Sequence, residues 1–495
     1  MNLNEYVKVN VLATSDIHSH VLNGEFGSNI YRAGTYVKEV RHHNRNVLLL
    51  DSGGSLAGTL TAFYYAIVKP YKRHPMIKLM NALEYDASGI SAKEFKFGLT
   101  YLNRSVALSR FPWLSANIEY RVTKEPYFST PYTIKNFDGI KVAIVGLTSD
   151  GLMEKEYAEM VEDVKIEKTM FIAKQWLRYI HEKEEPDYMI VLYHGGLYKM
   201  RRHDTERERK INEAEKLMHQ IGVIDLIITG NQHETTIGED QGTVYVQAGQ
   251  KAEHLIHVEI LFKKRTNSIE LVEVKPKIVD LNAYEEDETM LDLTYFDRKA
   301  VRHWSQEYVT MNHINFSVDD FDALFKSSHA FIQLLHKSMR RQFDRDITCV
   351  HVANSNVKGL SGKLTNEDIY NSYPHPDKPL DITISGQSIL TMLEYAVSHI
   401  EENEAGKVEL NHMDTTLFPF FEGVSYDVDL DKPMFNRVTL KNINVDHHYR
   451  ISMTDYCYRN YAHLFQDHVI HEHGKKSMPE LIKETLKSEC FIEVE

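Results

Sequence analysis

Cysteine is scarce in this chain of 495 residues: only Cys349, Cys457 and Cys490 occur, far apart and without a Cys-X-X-Cys pair. That excludes a disulfide framework and a thiolate metal site, and a reducing compartment fits best. Long apolar runs are missing as well. No stretch reaches the ~18 apolar residues of a membrane-spanning helix, and the N-terminus, MNLNEYVKVNVLATSD, lacks a basic segment followed by a long apolar one. The expectation is a cytoplasmic protein with no membrane partner, unless processing has already removed a signal. A basic excess is absent too. The formal charge of −14 argues against nucleic acid as a partner, because phosphate backbones demand a basic surface. Nothing in the composition names a protein partner, and no internal repeat or low-complexity tract is visible.

What is present is an ordinary soluble composition, 42% hydrophobic and 26% charged, with length for two or three domains. The most informative stretch is Val9 to His20, VNVLATSDIHSH. It reads as a buried strand that ends abruptly in Asp16, His18 and His20. An Asp and a His two residues apart leave the strand on one side, where open α/β sheets place their ligands, and carboxylate oxygen with imidazole nitrogen suits a transition metal. Further strand-like runs follow at Asn46–Asp51, Lys141–Thr148, Asp187–His194, Asp225–Thr229 and Val244–Gly249. Helix-length segments lie between them, Leu152–Lys183 and the charged Glu206–Gln220 among others. This alternation indicates an α/β domain, closed by a hairpin of His254–Lys263 and Glu270–Lys275. The run KMRRHDTERERK from Lys199 reads as a solvated loop and helix face. Asp287–Asn312 carries spaced apolar residues and no Gly or Pro, the pattern of a long connecting helix. A second, α+β unit follows, with helix Phe321–Arg341, strand Ile347–Val352, helix Ile389–Glu401 and a strand-rich end around Val424–Asp429 and Val438–Leu440. The expected division is 1–282, a helical linker over 283–315, and 316–495.

Four loops join the first one: DSGGSLAG (Asp51–Gly58), SAKEFKFG (Ser91–Gly98), YHGG (Tyr193–Gly196) and GNQH (Gly230–His233). With SDIHSH, Ser115-Ala116-Asn117-Ile118 and the ending VYVQAG, their order and spacing resemble the 5'-nucleotidase/2',3'-cyclic phosphodiesterase family of the calcineurin-like metallophosphoesterases, over nearly the whole chain. The resemblance implies a metallophosphoesterase-type β-sandwich flanked by helices, joined by a long helix to an α+β 5'-nucleotidase C-terminal-type domain. It also implies two divalent ions about 3.5–4 Å apart that clamp a phosphate and activate water.

Carried over residue by residue, the resemblance is incomplete. Asp16, His18, His194 and His233 match metal ligands. The bridging Asp after the second strand is replaced by Gly54, the Asn ligand by Ala92, the catalytic His by Lys93, and a further His ligand by Asn231. A two-metal site is therefore not expected. One divalent ion, Zn²⁺, Mn²⁺ or Fe²⁺, remains compatible with an Asp-His-His set at reduced affinity. His20, Ser52, Ser91 and Glu94 stand close enough to vacated positions to substitute. Lys93 as an ammonium cannot act as a general acid at neutral pH unless burial lowers its pKa greatly. It either replaces the missing ion or points to solvent. In the C-terminal unit, Asn117 from the first unit aside, the residues that resemblance assigns to substrate are Asn354 and Lys358 of the phosphate turn, and His375 and Tyr456 at the positions of two base-stacking rings. SGQSILTMLEYA matches a structural helix start with Ser385 in the N-cap region. The expected function is that of a family homologue with impaired catalysis that retains a nucleotide or small-phosphate ligand. A working single-ion phosphoesterase and a non-catalytic interaction protein are the alternatives.

Overall fold

Strands that send alternate side chains into two different cores build the first unit. In the computed structural model, residues 5–488 are described apart from 23–28, 129, 153–162, 198–210, 267, 315–319, 327–328, 356–359, 412 and 414. Two units emerge, Met1–Val301 and Arg302–Glu495. In chain order the strands of the first are β1 (Tyr6–Thr14), β2 (Val47–Asp51), β3 (Ala87–Gly89), β4 (Trp113–Leu114), β5 (Ile118–Tyr120), β6 (Tyr132–Phe137) and β7 (Ile140–Thr148). They continue with β8 (Val164–Ile166), β9 (Tyr188–His194), β10 (Leu226–Thr229), β11 (Thr235–Asp240), β12 (Thr243–Ala248), β13 (His254–Lys264) and β14 (Ile269–Asp280). Twelve of them form two six-stranded sheets, ordered β14-β13-β1-β2-β3-β4 and β11-β12-β10-β9-β7-β6. In the first sheet β1 to β4 run parallel and β13 and β14 join antiparallel; in the second the centre is parallel and both edges antiparallel.

Period-two alternation explains the layering. Val9, Val11 and Ala13 of β1, with Leu48 and Leu50 of β2, pack against Val142, Ile144, Ile190, Leu192, Leu226 and Ile228 of the other sheet. The intervening Leu12 and Leu49 face the opposite way, onto helices Ile30–His43 and Pro75–Ala82. In the second sheet Ala143, Val145, Met189, Val191 and Ile227 pack on helices Thr169–Glu184 and Ala214–Gln220. Strands buried on both faces read as continuous apolar runs, which is why they were visible in the sequence. The result is the helix-flanked β-sandwich that the sequence motifs imply.

Several elements differ from expectation. Within Leu152–Lys183 the helix starts only at Thr169, and Val164–Ile166 is a strand paired with β5. Two β-branched residues flanking a lysine suit an edge strand better than a helix. Residues 153–162, and the KMRRHDTERERK run, lie outside the described residues, so of Glu206–Gln220 only Ala214–Gln220 is seen as helix. The single helix expected over Asp287–Asn312 is two, Glu288–Leu293 and Tyr295–Ser305, and Tyr308–Ile314 is a strand paired with Leu360–Thr365. The stretch Tyr308-Val309-Thr310 favours extended backbone, and apolar spacing alone did not reveal the change of period. Among the described residues no helix is long and apolar enough to cross a membrane.

The second unit centres on a five-stranded sheet ordered Phe420–Glu422, Thr348–Val350, His448–Thr454, Pro379–Ser385, His468–His473. The expected helix Phe321–Arg341 is split into Phe321–Lys326 and Ala330–Arg340, and that of Ile389–Glu401 spans Gly386–Val397. Ser385 is its N-cap, accepting a bond from the Ser388 N–H.

One buried histidine in the first unit gives a pH-dependent test of packing. His74 caps helix Pro75–Ala82, its Nδ1 accepting from the Met76 N–H at 3.0 Å. Burial, with Lys78 nearby, drives its imidazole down to about 3. The unfolded imidazole protonates near pH 6.5, so between pH 6.5 and 3 the unfolded chain binds a proton that the folded one refuses. His74 therefore costs stability progressively as pH falls through that window. His74→Asn keeps a capping oxygen and removes the titration. The stability deficit of this variant, measured by urea unfolding, should shrink between pH 7.5 and pH 5.0.

Candidate metal centre

Five loops, each leaving the C-terminal end of a strand, meet around the carboxylate of Asp16. β1 delivers Asp16 and His18, β2 delivers Ser52 to Gly54, β3 leads to Ser91 and Lys93, β9 ends in His194, and β10 leads to Asn231 and His233. Backbone bonds from Asp16 N to Gly53 O (2.9 Å) and His18 N to Gly54 O (2.8 Å) lock the first two loops together. Asp16, His18, Asn231 and His233 all hold left-handed backbone, with φ of 50°, 53°, 73° and 60°. Asp, Asn and His tolerate that region better than most residues, so the same residue types serve the turn and the site.

Asp16 is fully buried. Its Oδ2 accepts from Ser15 Oγ (2.5 Å) and from the Asn231 N–H (2.8 Å). Its Oδ1 accepts no hydrogen bond among the described residues, yet faces four nitrogens. His18 Nε2 and His233 Nε2 lie at 3.6 Å, His194 Nε2 at 3.7 Å and Lys93 Nζ at 4.0 Å. His194 Nδ1 faces the Ser52 carbonyl at 3.0 Å. A proton donated there leaves Nε2 with a lone pair toward Asp16, the arrangement by which proteins prepare a histidine ligand. Burial pushes the Asp16 carboxyl up, but His194, His233, His18 and Lys93 together outweigh it and hold the group well below the usual carboxylate range. Burial, followed by the Lys93 charge, drives His18 down to about 3, and burial also lowers His194. Asp16, His18 and His233 bring one donor atom each within 4.8 Å of one another. An orphaned buried carboxylate oxygen beside imidazole nitrogens fits one divalent ion.

Lys93 does not point to bulk solvent. It is 34% exposed, and its ammonium also lies 3.2 Å from His233 Nε2. Gly54 leaves no room for a larger residue: a Cβ there would sit 2.8 Å from Asp16 Oδ1 and 3.2 Å from His194 Cε1, at φ +83°. The candidate substitutes are engaged elsewhere. Ser52 Oγ donates to Thr229 O (3.1 Å), and Ser91 donates through N and Oγ to Glu94. The other Glu94 oxygen accepts from Ser55 N (2.7 Å) and Leu56 N (3.2 Å), so Glu94 ties two loops together. His20 adds no donor to the three-residue group. A residue the sequence reading passed over is Asp51, fully buried and held by Thr14, Gly53, Ser55 and Ser88. Burial foremost raises it to about 7. An acid ending an otherwise apolar strand was the available signal.

Residues 311–464 match the 5'-nucleotidase, C-terminal domain family. That stretch of the chain is a 5'-nucleotidase C-terminal domain. The chain is 23% identical to the 2',3'-cyclic-nucleotide 2'-phosphodiesterase/3'-nucleotidase of Yersinia enterocolitica, over 86% of this chain and 74% of the relative. A 5'-nucleotidase structure from Staphylococcus aureus, described as putative in its own name, shares the fold at TM-score 0.79 and 18% identity, covering 99% and 98% of the two chains. A calcineurin-like phosphoesterase from Bacillus subtilis matches at TM-score 0.53 and 23% identity, over 60% of this chain and 99% of its own.

The positions that family resemblance assigned to substrate fare differently. Asn117 is fully buried, its amide bonded to Thr148 N (2.9 Å), Thr148 O (2.6 Å) and Glu167 O (3.0 Å). It braces three strands from inside. Asn354 donates to Asn371 O (2.7 Å), and Lys358 lies outside the described residues. Tyr456 is buried and stacks on His351, with ring centroids 4.1 Å apart and planes 20° from parallel, while His375 leans over it at 5.2 Å and 47°. Two rings that sandwich a base need a gap of roughly 7 Å, twice the stacking distance. His375 and Tyr456 thus lie closer together than that gap.

Gly54 yields a test of the crowding around Asp16. Gly54→Asp, which returns the family's residue, introduces a strained φ and a second buried carboxylate. On its own it should lower stability by on the order of 1–3 kcal/mol, read by urea unfolding in the presence of a chelator; parental stability would show that the loop has space.

Proposed function

We propose that this protein is a 5'-nucleotidase-family phosphoesterase homologue with impaired hydrolysis, which holds at most one divalent ion and keeps affinity for a nucleotide or small phosphate. The observation that carries this reading is the Lys93 ammonium, 4.0 Å from Asp16 Oδ1 and 3.2 Å from His233 Nε2. It stands in the ligand cluster, at the sequence position where the family has its catalytic imidazole. Asp16, His18 and His233 would hold the ion, which when bound supplies Lewis-acid polarisation of a phosphoryl oxygen. The chain's own residues supply less than a hydrolase needs. Lys93 offers a positive charge to an anion but no proton-accepting nitrogen while it remains an ammonium. Asp16 is held in place by Ser15 and Asn231, and His194 by the Ser52 carbonyl. Gly54 and Ala92 contribute no donor.

A second reading, a working single-ion phosphoesterase, draws support from the unbonded Oδ1 of Asp16 among three imidazoles. Ion counting and turnover separate the two. A cation ~4 Å from another positive charge is repelled by about 4 kcal/mol per unit charge at an effective dielectric near 20. The partial exposure of Lys93 screens much of that. Lys93→Ala should therefore raise Mn²⁺ or Zn²⁺ affinity about tenfold or more, which is ~1.4 kcal/mol, in titrations of protein purified without chelator. The unmutated chain should bind at most one ion through Asp16, His18 and His233, and should turn over AMP, a 2',3'-cyclic nucleotide and an aryl phosphate weakly with Mn²⁺, Zn²⁺ or Co²⁺. Brisk turnover abolished by Asp16→Ala, or two ions seated among Asp16, His18, His194 and His233, would overturn the impaired reading. No melting shift with AMP or inorganic phosphate would count against the retained ligand.

A further inference from the structure

We infer that the second unit carries a transition-metal site of its own, built by His351, His375 and Asp377 and suited to Zn²⁺ or a similar divalent ion. His351 follows directly on strand Thr348–Val350. The segment between helix Asn366–Ser372 and strand Pro379–Ser385 supplies the other two. One donor atom from each lies within 4.8 Å of the others. Both imidazoles converge on the same carboxylate oxygen: His351 Nε2 is 3.3 Å from Asp377 Oδ2, and His375 Nδ1 is 3.8 Å from it. A tetrahedral ion with bonds of about 2.0–2.1 Å spaces its ligands roughly 3.3–3.4 Å apart. The first distance matches, and the second needs a movement of a few tenths of an ångström. As a hydrogen bond, 3.8 Å is too long; as the edge between two ligands of one ion, it is close to what is required.

The surroundings prepare these atoms. His351 Nδ1 lies 3.0 Å from Thr454 Oγ1, so a proton donated to that hydroxyl leaves Nε2 with its lone pair toward Asp377. Asp377 is 2% exposed and divides its oxygens: Oδ1 accepts from Arg459 Nη2 at 3.3 Å, while Oδ2 accepts from the Tyr373 hydroxyl at 3.0 Å and faces the imidazoles. The guanidinium thereby fixes the carboxylate's orientation through the oxygen the ion does not use. The His375 side chain is 23% exposed, which gives an ion a way in. The stack of His351 on Tyr456 holds the first imidazole against rotation. His375 stands at one of the two family base-stacking positions, so the same place would serve an ion where relatives of the family stack a base.

The test uses the full chain with the first cluster disabled by Asp16→Asn and His18→Asn together. After equilibration with Zn²⁺ and gel filtration, elemental analysis should find about one ion per chain. Replacement by Co²⁺ should give the visible absorption of a low-symmetry four-coordinate site. Adding His375→Ala, chosen because that side chain is partly exposed, should remove the ion and the absorption, and Asp377→Asn should do the same by a different loss. A doubly substituted parent that retains no ion, or His375→Ala and Asp377→Asn chains that bind as much as that parent, would overturn the assignment and leave a hydrogen-bonded network only.

Discussion

A carboxylate sealed away from water keeps its charge only when positive or proton-donating groups surround it, and around Asp16 the chain has arranged three imidazoles, an ammonium, a hydroxyl and a backbone N–H. The other features of the site follow from that compensation. Burial holds the His18 and His194 imidazoles down, which suits them as ligands. Lys93, with its ammonium 4.0 Å from Asp16 Oδ1, adds a positive charge on the same side of the carboxylate as the imidazoles.

The stability of the scaffold rests on strand residues that alternate between the inter-sheet core and the helix-covered faces, such as Leu12 between Val11 and Ala13. Gly54, Ala92, Lys93 and Asn231 all stand beyond strand ends, and of the four only Ala92 belongs to a hydrophobic core. In the second unit the rings of His351, His375 and Tyr456 cluster beside the five-stranded sheet, with Tyr456 4.1 Å from His351 and 5.2 Å from His375.

Much of this was legible from residues alone. Doubly buried parallel strands announce themselves as unbroken apolar runs, and the residues just after them, Asp16, His18, His194 and His233, are brought together by the sheet order. Short edge elements were not legible: Val164–Ile166 and Tyr308–Ile314 are defined by the strands they pair with, β5 and Leu360–Thr365, which lie distant in sequence. Side-chain direction was equally hidden. Whether Lys93 turned inward, whether Asn117 faced a ligand or the backbone, and whether Tyr456 offered an open face depended on tertiary neighbours. His351 went unnoticed because one histidine beside an apolar strand carries no pattern; its meaning comes from Asp377 and Thr454.

Gly54 is seated tightly against Asp16 and His194. Any larger side chain there would have to move the Asp16 carboxylate and the His194 ring, so exchange at this one position is coupled to two others and calls for concerted change around it.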